Sequence, residues 1–68
     1  MIRKMYKNVL NNVQERRIAA GLTQKQLAEK AQLGIQTIVN IENGMNTRKS
    51  TLERIAEVFN VSIEQLNK

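Results

Sequence analysis

Three amide side chains, those of Gln36, Asn40 and Asn43, follow one another at spacings of four and three residues. On a helix these spacings place them on one face, because residues three and four apart are neighbours there. Gln and Asn each donate and accept hydrogen bonds in one plane, which matches the N6/N7 edge of adenine in the major groove. No charged residue occurs between Lys30 and Glu42, whereas solvated helix faces normally collect Lys and Glu. The pattern therefore favours a face that recognises base edges over an ordinary solvated surface.

A predicted helix over residues 35–43 carries these amides. Ile38 and Ile41 recur at helical spacing and face inward, which leaves Ile35 and Thr37 at the edges of the outward face. The methyl groups of these two edge residues suit contact with thymine. The sequence therefore assigns base contacts to Gln36 and Asn40, with Thr37 and Ile35 as contributors.

A shorter predicted helix precedes this one and starts at Gln24. Thr23 and Gln26 form a capping box, in which each side chain satisfies a backbone N–H of the other residue. Gly34 gives the following turn its backbone freedom, and Gly44 is placed to end the second helix in the left-handed conformation. Two helices joined by a turn of about three or four residues predict a helix-turn-helix over about residues 24–43.

The rest of the chain predicts three more helices. Apolar residues recur at helical spacing from Ile2, and Gly21 is placed to end that first helix. A later helix ends near Asn60. Further capping boxes open the last two helices, by Ser50 with Glu53 and by Ser62 with Gln65. We therefore expect residues 1–68 to form one compact all-α domain of five short helices.

The composition favours a polyanionic partner and excludes most chemistry. Eleven Lys and Arg against six acidic residues give a net charge of +5. One Tyr, one Phe and no Trp make a poor stacking platform, so duplex DNA is favoured over single strands. Without His or Cys, and with scattered Glu, we expect no enzyme, metal site, cofactor or small-molecule ligand. No membrane span or signal peptide is apparent, so we expect a cytoplasmic protein.

The helical pattern of the first helix places Arg17 on the buried side. It lies about 40° from Val13 on the wheel of the first helix. A guanidinium is stable there only with a carboxylate partner. Glu42, at the boundary of the second helix of the motif and the only acid in that part of the chain, is the natural candidate. We therefore expect a structural ion pair between Arg17 and Glu42, and we disfavour the alternative that Arg17 contacts a phosphate.

The segment L-T-Q-K-Q-L-A-E-K-A, the turn, and T-I-V-N-I-E-N-G resemble the Cro/C1-type (XRE-like) helix-turn-helix family of phage repressors and small bacterial regulators. The resemblance extends from about Val9 to Leu66, so residues 1–8 are an N-terminal extension of the first helix. It implies a lambda-repressor-like DNA-binding domain. Two positions depart from the family pattern: Gly34 stands where Ser or Thr often caps the recognition helix, and Ile35 where a polar residue often contacts a base.

The resemblance also implies roles beyond the base-recognising face. The family commonly pairs an Arg and a Glu at the positions of Arg17 and Glu42. From charge alone, a solvated loop explains Arg48 and Lys49 as well as a phosphate contact does, and the resemblance favours the DNA backbone. The implied backbone contacts are Gln24, Asn43, Arg48 and Lys49.

The sequence thus predicts a sequence-specific double-stranded DNA-binding transcriptional regulator, with repression as the expected mode. One helix reads only a few base pairs, so we expect a homodimer on an inverted-repeat operator. The predicted fifth helix offers an interface through Val61, Ile63 and Leu66. The alternative is an antitoxin or another protein-interaction module with the same fold, since family members serve as antitoxins. Such a module would tend to show a large apolar surface patch.

Overall fold

The computed structural model describes residues 7–45 and 47–66, with side chains from residue 12 onward. Within these ranges it contains five α-helices and no strand, which confirms the all-α fold. The helices are α1 (Lys7–Ala19), α2 (Gln24–Ala31), α3 (Ile35–Glu42), α4 (Lys49–Phe59) and α5 (Ile63–Leu66). The predicted start of the first helix at Ile2 and most of the extension over residues 1–8 lie outside the described residues.

A hydrophobic core among the described residues joins all five helices. α2 packs against α3 and α4, α1 packs against α3, and α5 lies against both α1 and α4. The core side chains, each at most 3% exposed, are Val13, Leu27, Ala28, Ala31, Ile38, Ile41, Leu52, Ile55, Ala56 and Leu66. Because α3 is held on its buried side by two of these residues, its opposite side is left exposed.

The two ends of α2 differ in how well the sequence predicts them. The capping box is present, with the Thr23 side chain accepting from the backbone N–H of Gln26 and the Gln26 side chain accepting from that of Thr23. At the C-terminal end of α2, the prediction that Gly34 provides the backbone freedom for the turn is wrong. Gln32 adopts the left-handed conformation there, because the chain must reverse at once to pack Leu33 against the core.

α3 ends at Glu42, one residue before the predicted end at Asn43, which is its C-cap. Gly44 then takes the left-handed conformation, with φ of 95°, as predicted. Met45, which continued the apolar period in sequence, is 54% exposed. Since the helix has already ended, the helical period no longer determines where this side chain points.

The predicted capping box of Ser50 and Glu53 is wrong. α4 begins at Lys49, its N-cap is Arg48, and no side chain caps it. The first backbone hydrogen bond runs from Leu52 N–H to Arg48 O at 3.1 Å, so Ser50 lies inside the first turn. Lys49 is therefore a helical residue and does not belong to the preceding loop.

α5 is one turn long and is held onto α1. Its own capping box, between Ser62 and Gln65, is present as predicted. The Asn12 side chain donates to Leu66 O at 2.6 Å, and Arg16 donates to Gln65 O at 3.2 Å. Leu66 is consequently fully buried in the core of its own chain, which corrects its assignment to a dimer interface.

Candidate nucleic-acid interface

The exposed side of α3 is lined by uncharged polar side chains. Gln36 is exposed and Asn40 is half-buried, and Gln36 Nε2 donates to Asn40 Oδ1 at 3.0 Å. Ile35 is 47% exposed at the start of the helix, while Thr37 is half-buried beside the amides. The structure therefore brings together the four residues to which the sequence assigned base contacts, and it joins two of them by a hydrogen bond.

The position of this surface is fixed by the buried side of α3. Ile38 and Ile41 are at most 1% exposed and pack in the core between α1 and α2. After the helix, Met45 N–H donates to Asn40 O at 3.0 Å, which closes the C-terminal turn. Asn43 is exposed at the C-cap, at the end of the amide face. A buried, packed core thus supports an exposed row of hydrogen-bonding groups.

Arg17 of α1 and Glu42 of α3 form a two-point ion pair. Arg17 Nε lies 2.7 Å from Glu42 Oε2, and Arg17 Nη2 donates to Oε1 at 3.0 Å. A third hydrogen bond runs from Arg17 Nη1 to Leu22 O at 3.0 Å. The side chains are only 12% and 3% exposed, respectively. The pair therefore connects α1, the loop before α2, and the end of α3.

The electrostatics of this pair keep Arg17 charged. Its hydrogen bond to Glu42 raises the pKa of Arg17 above the ordinary value, and the negative charge of Glu42 acts in the same direction. Partial burial, which lowers the pKa of Arg17, is a smaller effect than the hydrogen bond and a larger one than the charge of Glu42. Within the fold, each charge of the pair therefore has an oppositely charged partner.

Gln24 is also part of this network, which the sequence did not predict. It is the first residue of α2, it is half-buried, and its Nε2 donates to Glu42 Oε1 at 3.0 Å. The sequence gave no signal for this contact, because the two residues lie on different helices and are 18 positions apart. Gln24, which the sequence analysis assigns to a phosphate contact, therefore lies beside the ion pair of Arg17 and Glu42.

The two cations after α3 lie at the start of α4. Arg48 is the N-cap and Lys49 the first helical residue, and both are exposed. α4 has no acidic residue in its first turn. The positive end of the helix dipole adds to the two side-chain charges, so this end of α4 attracts anions. The structure places these residues on an element separate from Gln36 and Asn40.

The described residues hold no group of three or more His, Cys, Asp or Glu that could bind a metal ion. Over the same part of the chain, none of the helices has both the length and the apolar character that a membrane crossing requires.

A buried α2–α3 pair with an exposed polar face on the second helix defines a helix-turn-helix domain. A model of the helix-turn-helix family HTH_3 matches residues 13–66, and the chain belongs to this Cro/C1-type (XRE-like) family. Among curated proteins, no sequence matches this chain significantly.

Solved structures of similar proteins share the fold closely. The restriction-modification controller protein C.Esp1396I is 30% identical with a TM-score of 0.79, covering 96% of this chain and 91% of that one. SinR, described as the master regulator for biofilm formation and solved in complex with DNA, is 26% identical with a TM-score of 0.80, covering 88% and 98%. NHTF from Neisseria, a hypothetical transcription factor, is 23% identical with a TM-score of 0.86, covering 96% and 76%.

Proposed function

We propose that this chain is a sequence-specific, duplex-DNA-binding transcriptional regulator that inserts α3 into the major groove, and that it is not an enzyme. The observation that carries the proposal is the exposed, uncharged amide face of α3, where Gln36 and Asn40 are joined by a hydrogen bond. Membership of the helix-turn-helix family supports it. So does the likeness to SinR, which was solved in complex with DNA.

The hydrogen bond between the two amides leaves a defined set of groups for the bases. Gln36 uses one N–H, so its carbonyl oxygen and second N–H remain. Asn40 uses one lone pair of its oxygen, so the second lone pair and both of its N–H groups remain. Two acceptor oxygens and three N–H donors are thus available to base edges, while Ile35 and Thr37 contribute methyl groups for thymine. The two amides act as one recognition unit.

The DNA backbone contacts follow from the positions of the remaining residues. Gln24 lies at the positive, N-terminal end of α2, where a phosphate is favoured. Arg48 and Lys49 attract phosphate at the start of α4. Asn43 follows the base-recognising helix and extends the same surface. These contacts fix the orientation of the protein on the duplex, while the α3 amides determine sequence.

The proposal includes a homodimer, because one short helix reads too few base pairs to select a genomic site. Two-fold symmetry would require an inverted repeat, with half-sites about 34 Å apart or a multiple of that distance. With Leu66 buried, Val61 and Ile63, both half-buried beside a groove between α4 and α5, are the available contacts. Sedimentation of the complex with a selected duplex should find two protomers per site. One protomer per site, or a site without dyad symmetry, would contradict this part of the proposal.

The regulatory mode that we propose is repression, in which the bound protein blocks access to a promoter. A reporter gene placed behind a promoter that contains the selected site should lose expression when the protein is produced. An increase in expression would instead identify an activator. A scrambled site in the same promoter controls for effects unrelated to binding.

The proposal is tested by selecting a duplex from random sequences and comparing Gln36→Ala with the unmodified protein. Loss of a bidentate base contact costs about 1 to 3 kcal/mol of discrimination at one base pair. Because Asn40 loses its partner, we also expect weaker preference at the adjacent base pair. Gln14→Ala, which removes an amide from an exposed position on α1, is the matched control. If Gln36→Ala binds the selected and a scrambled duplex as the unmodified protein does, the α3 face does not recognise bases.

Two exposed apolar residues favour the antitoxin or protein-interaction alternative. Ile35 begins α3, and Met45 follows its end, and both are about half exposed. A protein partner that covers α3 would bury both. Failure to select any duplex, together with binding to a protein partner that is lost in Ile35→Ser and Met45→Ser but retained in Gln36→Ala, would favour this alternative.

A further inference from the structure

The Glu42 carboxylate accepts three hydrogen bonds from two neighbouring helices. Its Oε2 accepts from Arg17 Nε at 2.7 Å, and its Oε1 accepts from Arg17 Nη2 and from Gln24 Nε2, each at 3.0 Å. A carboxylate paired with a guanidinium has no proton to donate. It therefore accepts only from the nitrogen end of the Gln24 amide, so the chemistry of the pair determines which way the amide faces.

This orientation matters because a phosphate also accepts only. A phosphate oxygen and Glu42 both require donors, and a primary amide nitrogen carries two N–H groups. With one N–H of Gln24 directed at Glu42, the second N–H of the same nitrogen is held in place at the first residue of α2. The amide oxygen, which would repel a phosphate, is kept away from Glu42 and cannot exchange places with the nitrogen.

We infer that Glu42 is a positioning residue for DNA binding: it holds the Gln24 amide with its second N–H oriented to donate to a backbone phosphate. The inference rests on the proposed DNA-binding function. The ion pair with Arg17 stabilises the fold, and it also fixes the Glu42 carboxylate against which Gln24 is aligned. Glu42 does not contact the DNA itself.

The sign of the effect separates this role from simple electrostatics. Glu42 is a negative charge, so its removal should by charge alone tighten the binding of DNA. The positioning role predicts the opposite, because an unheld Gln side chain must be ordered when it binds. The entropic cost of ordering one flexible side chain corresponds to a loss of DNA affinity of about 3- to 10-fold.

The test uses the double variant Arg17→Met/Glu42→Met, which keeps the net charge of the chain at +5, so that net charge alone predicts no change in affinity whereas the positioning role predicts a weakening. Replacing both members of a buried pair with apolar side chains of similar size is often tolerated by the fold. Binding to a selected and a scrambled duplex is measured for four proteins: the unmodified chain, Gln24→Ala, the double variant, and the triple variant. Circular dichroism establishes that each is folded at the temperature used.

We expect Gln24→Ala to weaken binding to both duplexes by about 3- to 10-fold in the unmodified chain, and to have almost no further effect in the double variant. The double variant itself should be weakened by about the same factor. The dependence of affinity on salt should not change, because an amide contact releases no counterion. A merely structural role of Glu42 would leave the effect of Gln24→Ala equal in both backgrounds, and that result would overturn the inference.

A second measurement decides the matter even if the double variant does not fold. In NMR spectra of the unmodified protein without DNA, one Nε2 proton of Gln24 should exchange with water more slowly than those of the exposed Gln14. On addition of scrambled duplex, the resonance of the other Nε2 proton of Gln24 should change its chemical shift. Equal, fast exchange of both protons would overturn the inference. Failure of the unmodified chain to bind any duplex would instead overturn the proposed function, and the inference with it.

Discussion

The ion pair between Arg17 and Glu42 predicts a large loss of stability for Arg17→Met. The variant removes the guanidinium and leaves the Glu42 carboxylate, only 3% exposed, with the Gln24 amide as its remaining side-chain donor. It also removes the donor to Leu22 O, at the loop that leads into α2. Two separate contacts therefore disappear together.

The magnitude follows from the low exposure of both side chains. Removing one partner of a buried ion pair typically costs about 3 to 5 kcal/mol, because an uncompensated charge stays buried. For a domain of this size, each kcal/mol lowers the melting temperature by about 4 to 8 °C, so we expect a drop of about 12 °C or more. Since domains are stable by only about 0.05 to 0.15 kcal/mol per residue, this loss is a large fraction of the total.

Thermal and urea unfolding, followed by circular dichroism, measure this change. Arg16→Met is the matched control, because it makes the same replacement at the adjacent, more solvated position whose hydrogen bond to Gln65 O is exposed. We expect this control to change the free energy of unfolding by about 1 kcal/mol or less. Glu42→Met added to Arg17→Met should restore most of the lost stability, since no buried charge remains.

Two results would refute this reasoning. The first is a melting temperature of Arg17→Met equal to that of Arg16→Met, combined with loss of DNA binding, which would make Arg17 a DNA contact. The second is a double variant whose loss of stability equals the sum of the losses measured for Arg17→Met and Glu42→Met separately, because the effects of independent residues add whereas those of a coupled pair do not.

Three further predictions concern the helix ends. Gly34→Ser should raise the free energy of unfolding by about 0.5 to 1 kcal/mol, because Gly34 has a negative φ, no side-chain cap and open space around the position of a Cβ atom. Gly44→Ser should lower this free energy, because Gly44 has a φ of 95°; urea unfolding measures both variants. Ser50→Ala should change this free energy by less than about 0.5 kcal/mol, and a loss near that of a true N-cap would contradict the observed start of α4. Lys49→Ala should reduce the slope of log affinity against log salt concentration by about one unit per protomer, whereas Lys30→Ala, at the far end of α2, should leave the slope nearly unchanged. Equal slopes for the two variants would count against a phosphate contact at Lys49.

Local patterns predicted the parts of the fold that depend on neighbouring residues. The capping box at Thr23 needs only Gln26, three residues away, and the amide face of α3 needs only the helical period. Ser50 followed the same rule and failed, because α4 starts two residues earlier than that capping box requires, with Arg48 as its N-cap and Leu52 buried in the core. Sequence spacing identifies a side chain able to cap a helix, while packing determines whether the helix begins there.

Contacts between distant segments were mostly beyond prediction. The left-handed conformation of Gln32 follows from the burial of Leu33, which no local preference of Gln indicates. The expectation for Arg17 relied on its helical position and on the scarcity of acids, and the structure places it against Glu42. Gln24 offered no such clue, because a polar residue at the start of a helix needs no buried partner.

The attachment of α5 to α1 has a consequence for the order in which the domain assembles. A four-residue helix does not persist in isolation, since the first turn costs more conformational entropy than one hydrogen bond returns. α5 therefore forms only when α1 is already in place to supply Asn12 and Arg16, residues about 50 positions earlier in the chain. It should be the last helix to form and the first to open, with backbone amides that exchange faster than those of α2 and α3.

A second copy that packs on Val61 and Ile63 would hold this late-forming turn closed. Association would then stabilise the folded chain by mass action, and the melting temperature would rise with protein concentration. In such a dimer, the short length of α5 would make the folding of each chain depend on the concentration of the protein.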